Sequence, residues 1–395
     1  MSMIDAKSRA LSGAQPSRLR IDGGRVLVRD RFETTSVSLD GELIADVGRD
    51  GGARRALDAD GLMVLPGIID IHGDAFERQM MPRPGVHFPL DVALLDTDAQ
   101  VIANGITTVF HGVTWSWEPG LRGPENARAL VAAIETLRPH LHAETRFHLR
   151  HETYNLDAEA EVMEWIDAGR VGMLAFNNHV PDLDSSRPSK IAQMAERCGL
   201  PLDRFTALVR RVTGRADEVP DSIRRLAARG RAHAVPMLSH DDASPEERRR
   251  FRALGCRVAE FPITVETAQE AAAAGDEIVL GAPNVVRGGS HIGWINAADM
   301  VGRGLCSVLA SDYYYPAQIL AAFRLAADEV APLAKAWSLI SETPALAAGL
   351  PDRGVIAPGR RADVILVDAS AARPRVVAVI VAGRIVHLTD ASRLS

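Results

Sequence analysis

The sequence predicts an α/β protein: a (β/α)8 TIM-like barrel with a small β-sandwich domain built from both chain ends. The barrel rests on eight short apolar runs in the middle of the chain, most of them followed by polar residues and a helix-like stretch. The sandwich rests on β-like runs punctuated by Gly and Asp, which occur before residue 66 and return after residue 351. The runs are GIIDI (67–71), ITTVF (106–110), RFHLR (146–150), VGMLAF (171–176), AVPMLS (234–239), RVAEF (257–261), EIVLG (277–281) and SVLAS (307–311). Segments such as ENARALVAAIETL and DSIRRLAARG between them have helical composition and period. An open doubly wound sheet is the competing arrangement, but no Gly-rich dinucleotide fingerprint follows a first strand. The expected division is a loose tail over 1–18, a sandwich from 19–65 plus 352–390, and a barrel over 66–351. Pro181 to Arg231 is longer than one crossover needs and is expected to add helices at the barrel mouth.

Composition narrows the function classes. The 395 residues are 47% hydrophobic and 24% charged, as in ordinary globular chains, and a net charge of −6 gives no basic field for nucleic acid. No apolar run approaches the roughly 18–20 residues of a membrane span, and the start lacks a signal-type apolar core. A cytoplasmic location is therefore expected. Cys198, Cys256 and Cys306 are too scattered for a disulfide framework or a zinc ribbon, and read as buried free thiols. Lys7, Lys190 and Lys335 are the only lysines.

Barrel chemistry collects at the C-terminal ends of the strands, so the residues closing each run are informative. The first run leads into His72-Gly73-Asp74, the second into His111, the third into His151-Glu152, the fourth into Asn177-Asn178-His179, the fifth into His240-Asp241-Asp242 and the eighth into Asp312. Imidazole and carboxylate at converging positions suit a hydrolytic divalent metal. His72 and Asp74, two apart on a strand, share a side. Glu152 could bridge two ions or cap one, and His179 and His240 could complete a second site. Asp312 could ligate and also accept a proton from water. His111 reads as a packing or supporting histidine and His148 as a satisfied core residue, while Asp241 and Asp242 read as groups that orient His240.

A second constellation suits anions. Arg83 lies between two prolines, and Arg287 precedes the turn Gly288-Gly289-Ser290, whose N–H groups could form an anion nest. Arg150 stands beside Glu152. The plainer reading pairs Arg83 and Arg287 with carboxylates.

VLPGIIDIHGD, with GRRADVILVD and VIVAGRIV near the far end, resembles the amidohydrolase superfamily, metal-dependent hydrolases with a barrel and a split β-sandwich. The interior segments FHLRHE, SHDDA, AEFPITVETA, GAPNVVRGGSH and SDYYYPAQILAAF are similar to its phosphonate-utilisation branch. That resemblance implies hydrolysis of a phosphoanhydride in a ribosyl methylphosphonate triphosphate, with release of pyrophosphate. It makes His72, Asp74, Glu152, His179, His240 and Asp312 the metal candidates, with Asp312 and Glu152 catalytic. Arg83, Arg150, Arg287, Gly288, Gly289 and Ser290 become the substrate grip. Zinc is the first expectation, with manganese, iron and cobalt as alternatives, as one or two ions. Many superfamily members have HxH where this chain has HxD, and others bridge their metals with a carbamylated lysine. All three lysines fall outside the strand ends, so Glu152 takes that role or the site holds a single ion.

The expected partner is a small phosphorylated molecule, not nucleic acid or membrane; the oligomeric state is open, a homodimer being compatible with such barrels. The alternative activity keeps barrel and metal but attacks a C–N bond. A non-catalytic assembly subunit is a third reading, against which the six candidate ligands argue.

Overall fold

The computed structural model describes residues 18–49, 55–83, 85–183, 186–289 and 295–395. The expected tail lies outside them but for its last residue. The chain divides into two compact units, one running from the start to Gly67 and resuming at Asp352–Ser395, the other Ile68–Pro351.

In the larger unit all eight runs form strands: β1 (Ile68–Gly73), β2 (Ile106–Trp115), β3 (Glu144–Glu152), β4 (Met173–Asn177), β5 (Met237–His240), β6 (Val258–Glu260), β7 (Glu277–Gly281) and β8 (Val308–Ala310). They lie parallel in sequence order, and the first and last meet through a parallel bridge between Gly73 and Asp312. Asp312 N–H donates to the His72 carbonyl at 2.9 Å, and Asp74 N–H to the Asp312 carbonyl at 3.0 Å. Asp70 adds a clamp, accepting from Ser311 N at 3.0 Å and Ser311 Oγ at 2.5 Å. The result is a nearly closed (β/α)8 barrel.

Strand alternation divides the core in two. Phe147, Leu149, Leu174 and Phe176 face outward onto helices whose buried residues recur at helical spacing, such as Leu130, Val131 and Ile134, or Val162, Trp165 and Ile166. The lumen below the mouth is packed with Ile69, Ile71, Met173, Leu238, Val258, Val279 and Val308.

Between β4 and β5 the chain inserts the expected extra helices. Helix α1 (Pro188–Arg197) starts on a proline, which needs no helical N–H donor at that position, and gives way to Gly199 in the left-handed region (φ 67°). Helix α2 (Leu202–Thr213) follows. Ile191, Met194, Ala195 and Cys198 pack against Phe205 and Val209, so the insert has its own apolar cluster, with Trp117 against it.

The smaller unit holds a four-stranded and a six-stranded sheet. In the latter, Met63–Pro66 pairs antiparallel with Val364–Asp368, register Leu65 to Ile365, which joins the two ends of the chain. Ile21, Val26, Leu39, Leu57, Val64, Leu366 and Ile380 form its core. Cys198, Cys256 and Cys306 are buried and free. No helix among the described residues is long and apolar enough to cross a membrane.

Candidate active site

The upper ends of β1, β3, β5, β6 and β8 bring His72, Arg150, His240, Glu260 and Asp312 around a cavity of ≈ 180 Å³; of these, Glu260 is packed behind the imidazoles rather than on the wall. The β1 register breaks between Asp70 and Gly73, the kind of irregularity that re-aims a side chain. His72 consequently stands 5.6 Å, ring to ring, from both His148 and His240. A side chain at Gly73 would meet Asp70 Oδ2 at 2.6 Å, which explains the glycine inside His72-Gly73-Asp74. Asp241, Phe261 and Asp312 adopt positive φ (59°, 55° and 56°), each just past a barrel strand. Such conformations are uncommon for non-glycine residues, cost on the order of 1–3 kcal/mol and gather at functional sites.

Among the described residues, three groups of donor atoms lie within 4.8 Å of one another: His72, Asp74 and Asp312; His72, His240 and Glu260; and His179, His240 and Asp241. His72 Nδ1 is 2.7 Å from Glu260 Oε1. Burial, reinforced by the Arg150 charge, lowers His72 to about 3, so its ring is neutral and Nδ1–H donates to Glu260 while Nε2 keeps its lone pair. Burial also lowers His240. Asp312 is pushed up to about 7, first by burial and then by the Asp74 charge. Glu260 Oε2 is buried without a hydrogen-bond partner. Neutral imidazoles, crowded carboxylates and an orphaned carboxylate oxygen form a donor set that suits a divalent cation.

Arg150 is 5% exposed and already holds a positive charge inside this ring. Its Nη2 donates to His240 Nε2 at 3.1 Å, and Nη1 lies 3.5 Å from Asp74 Oδ2.

A larger cavity of ≈ 720 Å³ adjoins the first and shares His240 and Asp241 with it. His179 stands on its wall, 3.5 Å from Asp241 Oδ2. Glu152, expected to bridge or cap ions, is turned to His179 instead, accepting from its backbone N at 2.9 Å and from its ring Nδ1 at 2.5 Å. Although burial opposes both shifts, the mutual charge and hydrogen bonds raise His179 to about 9 and hold Glu152 below its usual range. Asp241 Oδ1 lies 3.2 Å from His240 Nδ1, in the orienting position. Asp242 does not touch His240; it is bound by Ser239 and Arg248. His148 Nδ1–H donates to the Ile71 carbonyl, 2.9 Å away, within the barrel.

The anion constellation is arranged differently from expectation. Gly288 N–H donates to the Val285 carbonyl at 3.2 Å and Gly289 N–H to that of Asn284 at 3.0 Å. Both close the C-terminus of the helix Ala282–Arg287, with Gly288 left-handed, so neither is free to form a nest. Ser290 lies outside the described residues. Arg287 reaches Tyr313 Oη at 3.4 Å, and Tyr313 lines the smaller cavity. Arg83 sits on an exposed turn bridged to Val86 and lines neither cavity.

Two site residues escaped the sequence reading. Glu260 lies inside the apolar run RVAEF rather than after it, and Asp70 lies likewise inside GIIDI. A carboxylate within an otherwise apolar strand was the available signal, since only a partner makes such burial tolerable.

A family model described as the Amidohydrolase family matches residues 101–387. The chain is 33% identical over 346 residues, 85% of its length and 91% of the relative's, to an alpha-D-ribose 1-methylphosphonate 5-triphosphate diphosphatase of Escherichia coli strain K12. Among solved structures it resembles a beta-aspartyl dipeptidase of Fervidobacterium islandicum (TM-score 0.63, 16% identity, covering 95% of this chain and 97% of that one). It also resembles a molinate hydrolase (TM-score 0.64, 15% identity, 95% of each chain).

Proposed function

Since the chain belongs to the amidohydrolase family, hydrolases that generally depend on a divalent metal, we propose that it cleaves a phosphoanhydride of alpha-D-ribose 1-methylphosphonate 5-triphosphate. The products are pyrophosphate and the corresponding 5-phosphate. The observation that carries this reading is the 33% identity across 91% of the diphosphatase relative. The Arg150 cation inside the ligand ring supports it, because phosphoryl transfer gathers negative charge at that point.

In this reading His72, Asp74, His240 and Asp312 hold the metal, with Glu260 orienting His72 or joining as a ligand, and His179 and Asp241 offer a second position. The ion supplies Lewis-acid polarisation of a phosphoryl oxygen and makes water a better nucleophile near neutral pH. Asp312 accepts the proton as the water oxygen bonds to the α-phosphorus. The bridging oxygen departs with pyrophosphate. Arg150 faces the negative charge that builds on the phosphoryl oxygens, and Glu152 fixes His179 toward the larger cavity. Arg150→Met is expected to lower kcat/KM about 100-fold, read by steady-state kinetics, since it removes a buried donor to that charge.

The test is a substrate panel on metal-supplemented protein. Pyrophosphate release from the ribosyl triphosphate should exceed hydrolysis of cyclic amides and dipeptides by about two orders of magnitude in kcat/KM. The opposite ranking would move the assignment to C–N bonds.

A further inference from the structure

The larger cavity has a wall for which the chemistry at the ligand ring gives no use. Helix α1 presents Lys190, Gln193 and Arg197 to it, at i, i+3 and i+7, while Ile191 and Ala195 turn away into the insert's apolar cluster. Thr114, Trp117 and Arg122 line the same cavity. Each of these six carries an N–H or O–H donor. Thr114 Oγ1, on a residue only 3% exposed, and Trp117 Nε1 are both buried without a partner, so two donors on lining residues lack acceptors.

The charges point the same way. Every carboxylate lining this cavity is engaged: Glu118 by Arg197 at 2.7 Å, Glu152 by His179, Asp241 by His179 and His240, and Glu247 by Arg250 at 3.3 Å. Arg122 is held in a fork by Glu77, at 3.2 and 3.3 Å. Lys190 has no carboxylate partner among the described residues. One cation unpaired among the described residues and two orphaned donors call for an acceptor-rich anion that those residues do not provide.

We propose that this cavity is a second subsite, holding a tetrahedral phosphorus oxyanion of the substrate at a distance from the bond cleaved. Lys190 supplies the charge, Thr114 and Trp117 supply directed hydrogen bonds, and Gln193 completes the wall. The inference rests on the phosphoanhydride reading and deepens it: a substrate with anionic groups at both ends needs one at the ligand ring and one here. The insert between β4 and β5 thereby becomes the element that selects a doubly anionic substrate.

The experiment titrates full-length wild type, Lys190→Ala and Lys190→Arg calorimetrically with methylphosphonate and, separately, with inorganic pyrophosphate. Lys190 is exposed, so neither change threatens the fold. At least one probe should bind wild type. Lys190→Ala should weaken that probe about tenfold and flatten its salt dependence, and Lys190→Arg should restore most of it. Preference for methylphosphonate assigns the subsite to the phosphonate end, and preference for pyrophosphate to the polyphosphate end. Wild-type protein binding neither probe, or Lys190→Ala binding as wild type does, overturns the subsite. Kinetics separate this from the parent reading. Triphosphate hydrolysis with KM unchanged in Lys190→Ala removes the subsite alone, whereas anion binding without triphosphate hydrolysis removes the diphosphatase assignment alone.

Discussion

Asp312→Asn is expected to lower kcat about 1000-fold while leaving KM within about threefold, in steady-state assays of pyrophosphate release. The substitution preserves shape. Asparagine tolerates the left-handed backbone of position 312 (φ 56°), and the backbone bonds from Asp312 N to His72 and from Asp74 N to residue 312 need no carboxylate. What disappears is the negative oxygen that takes the proton from water and faces the His72–Asp74 donor pair. An unchanged melting temperature and unchanged metal content with lost turnover would locate the effect in chemistry. A kcat within a few-fold of wild type would mean that the proton leaves by another route.

The second large effect concerns Arg248, which is fully buried on helix α3 (Pro245–Ala253). Its guanidinium donates to Ser239 Oγ, to Asp242 Oδ2 at 3.1 Å and to the carbonyls of Cys256 and Val258, and Nε lies 3.3 Å from Asp276. These contacts tie the segment after β5, which carries His240, to the start of β6 and the segment before β7. Arg248→Met would leave Asp242 buried without a counter-charge. Removing one partner of such a network costs about 3–5 kcal/mol, far more than an exposed pair. Thermal unfolding should therefore fall by roughly 4–6 °C. Arg249→Met, on the same helix but half exposed, should change stability by about 0.5 kcal/mol or less. Equal melting temperatures for the two variants would contradict this account of the network.

The barrel was legible because each strand is a short apolar run and the polar residue ending it belongs to the mouth. His72, Asp74, His240 and Asp312 were found by that rule, and the structure brings them together. The same rule hid Glu260. Read as part of an apolar run it looks like a boundary, whereas its register opposite His240 on the neighbouring strand points it into the same space. Glu152 was correctly placed at a strand end, but sequence could not show that His179, 27 residues on, would occupy both its oxygens. Gly288 and Gly289 illustrate the opposite error. A Gly-Gly turn after an arginine fits an anion nest and a helix C-cap equally well, and which carbonyls lie within reach decides between them. The donor wall around Lys190 is assembled from an insert helix and the β2 end, 70 or more residues apart in sequence, so no local pattern announces it.

Elemental analysis of the purified, dialysed protein tests the proposed centre most directly, because it reads the ion itself rather than a rate. Wild type should retain about one or two divalent ions per chain. The double replacement His72→Ala with Asp74→Ala should retain about a tenth of that or less, at unchanged helix content. Equal metal in the two proteins, or a metal-free wild type that hydrolyses the triphosphate undiminished in chelator, would contradict the proposal that these strand-end side chains hold a catalytic cation.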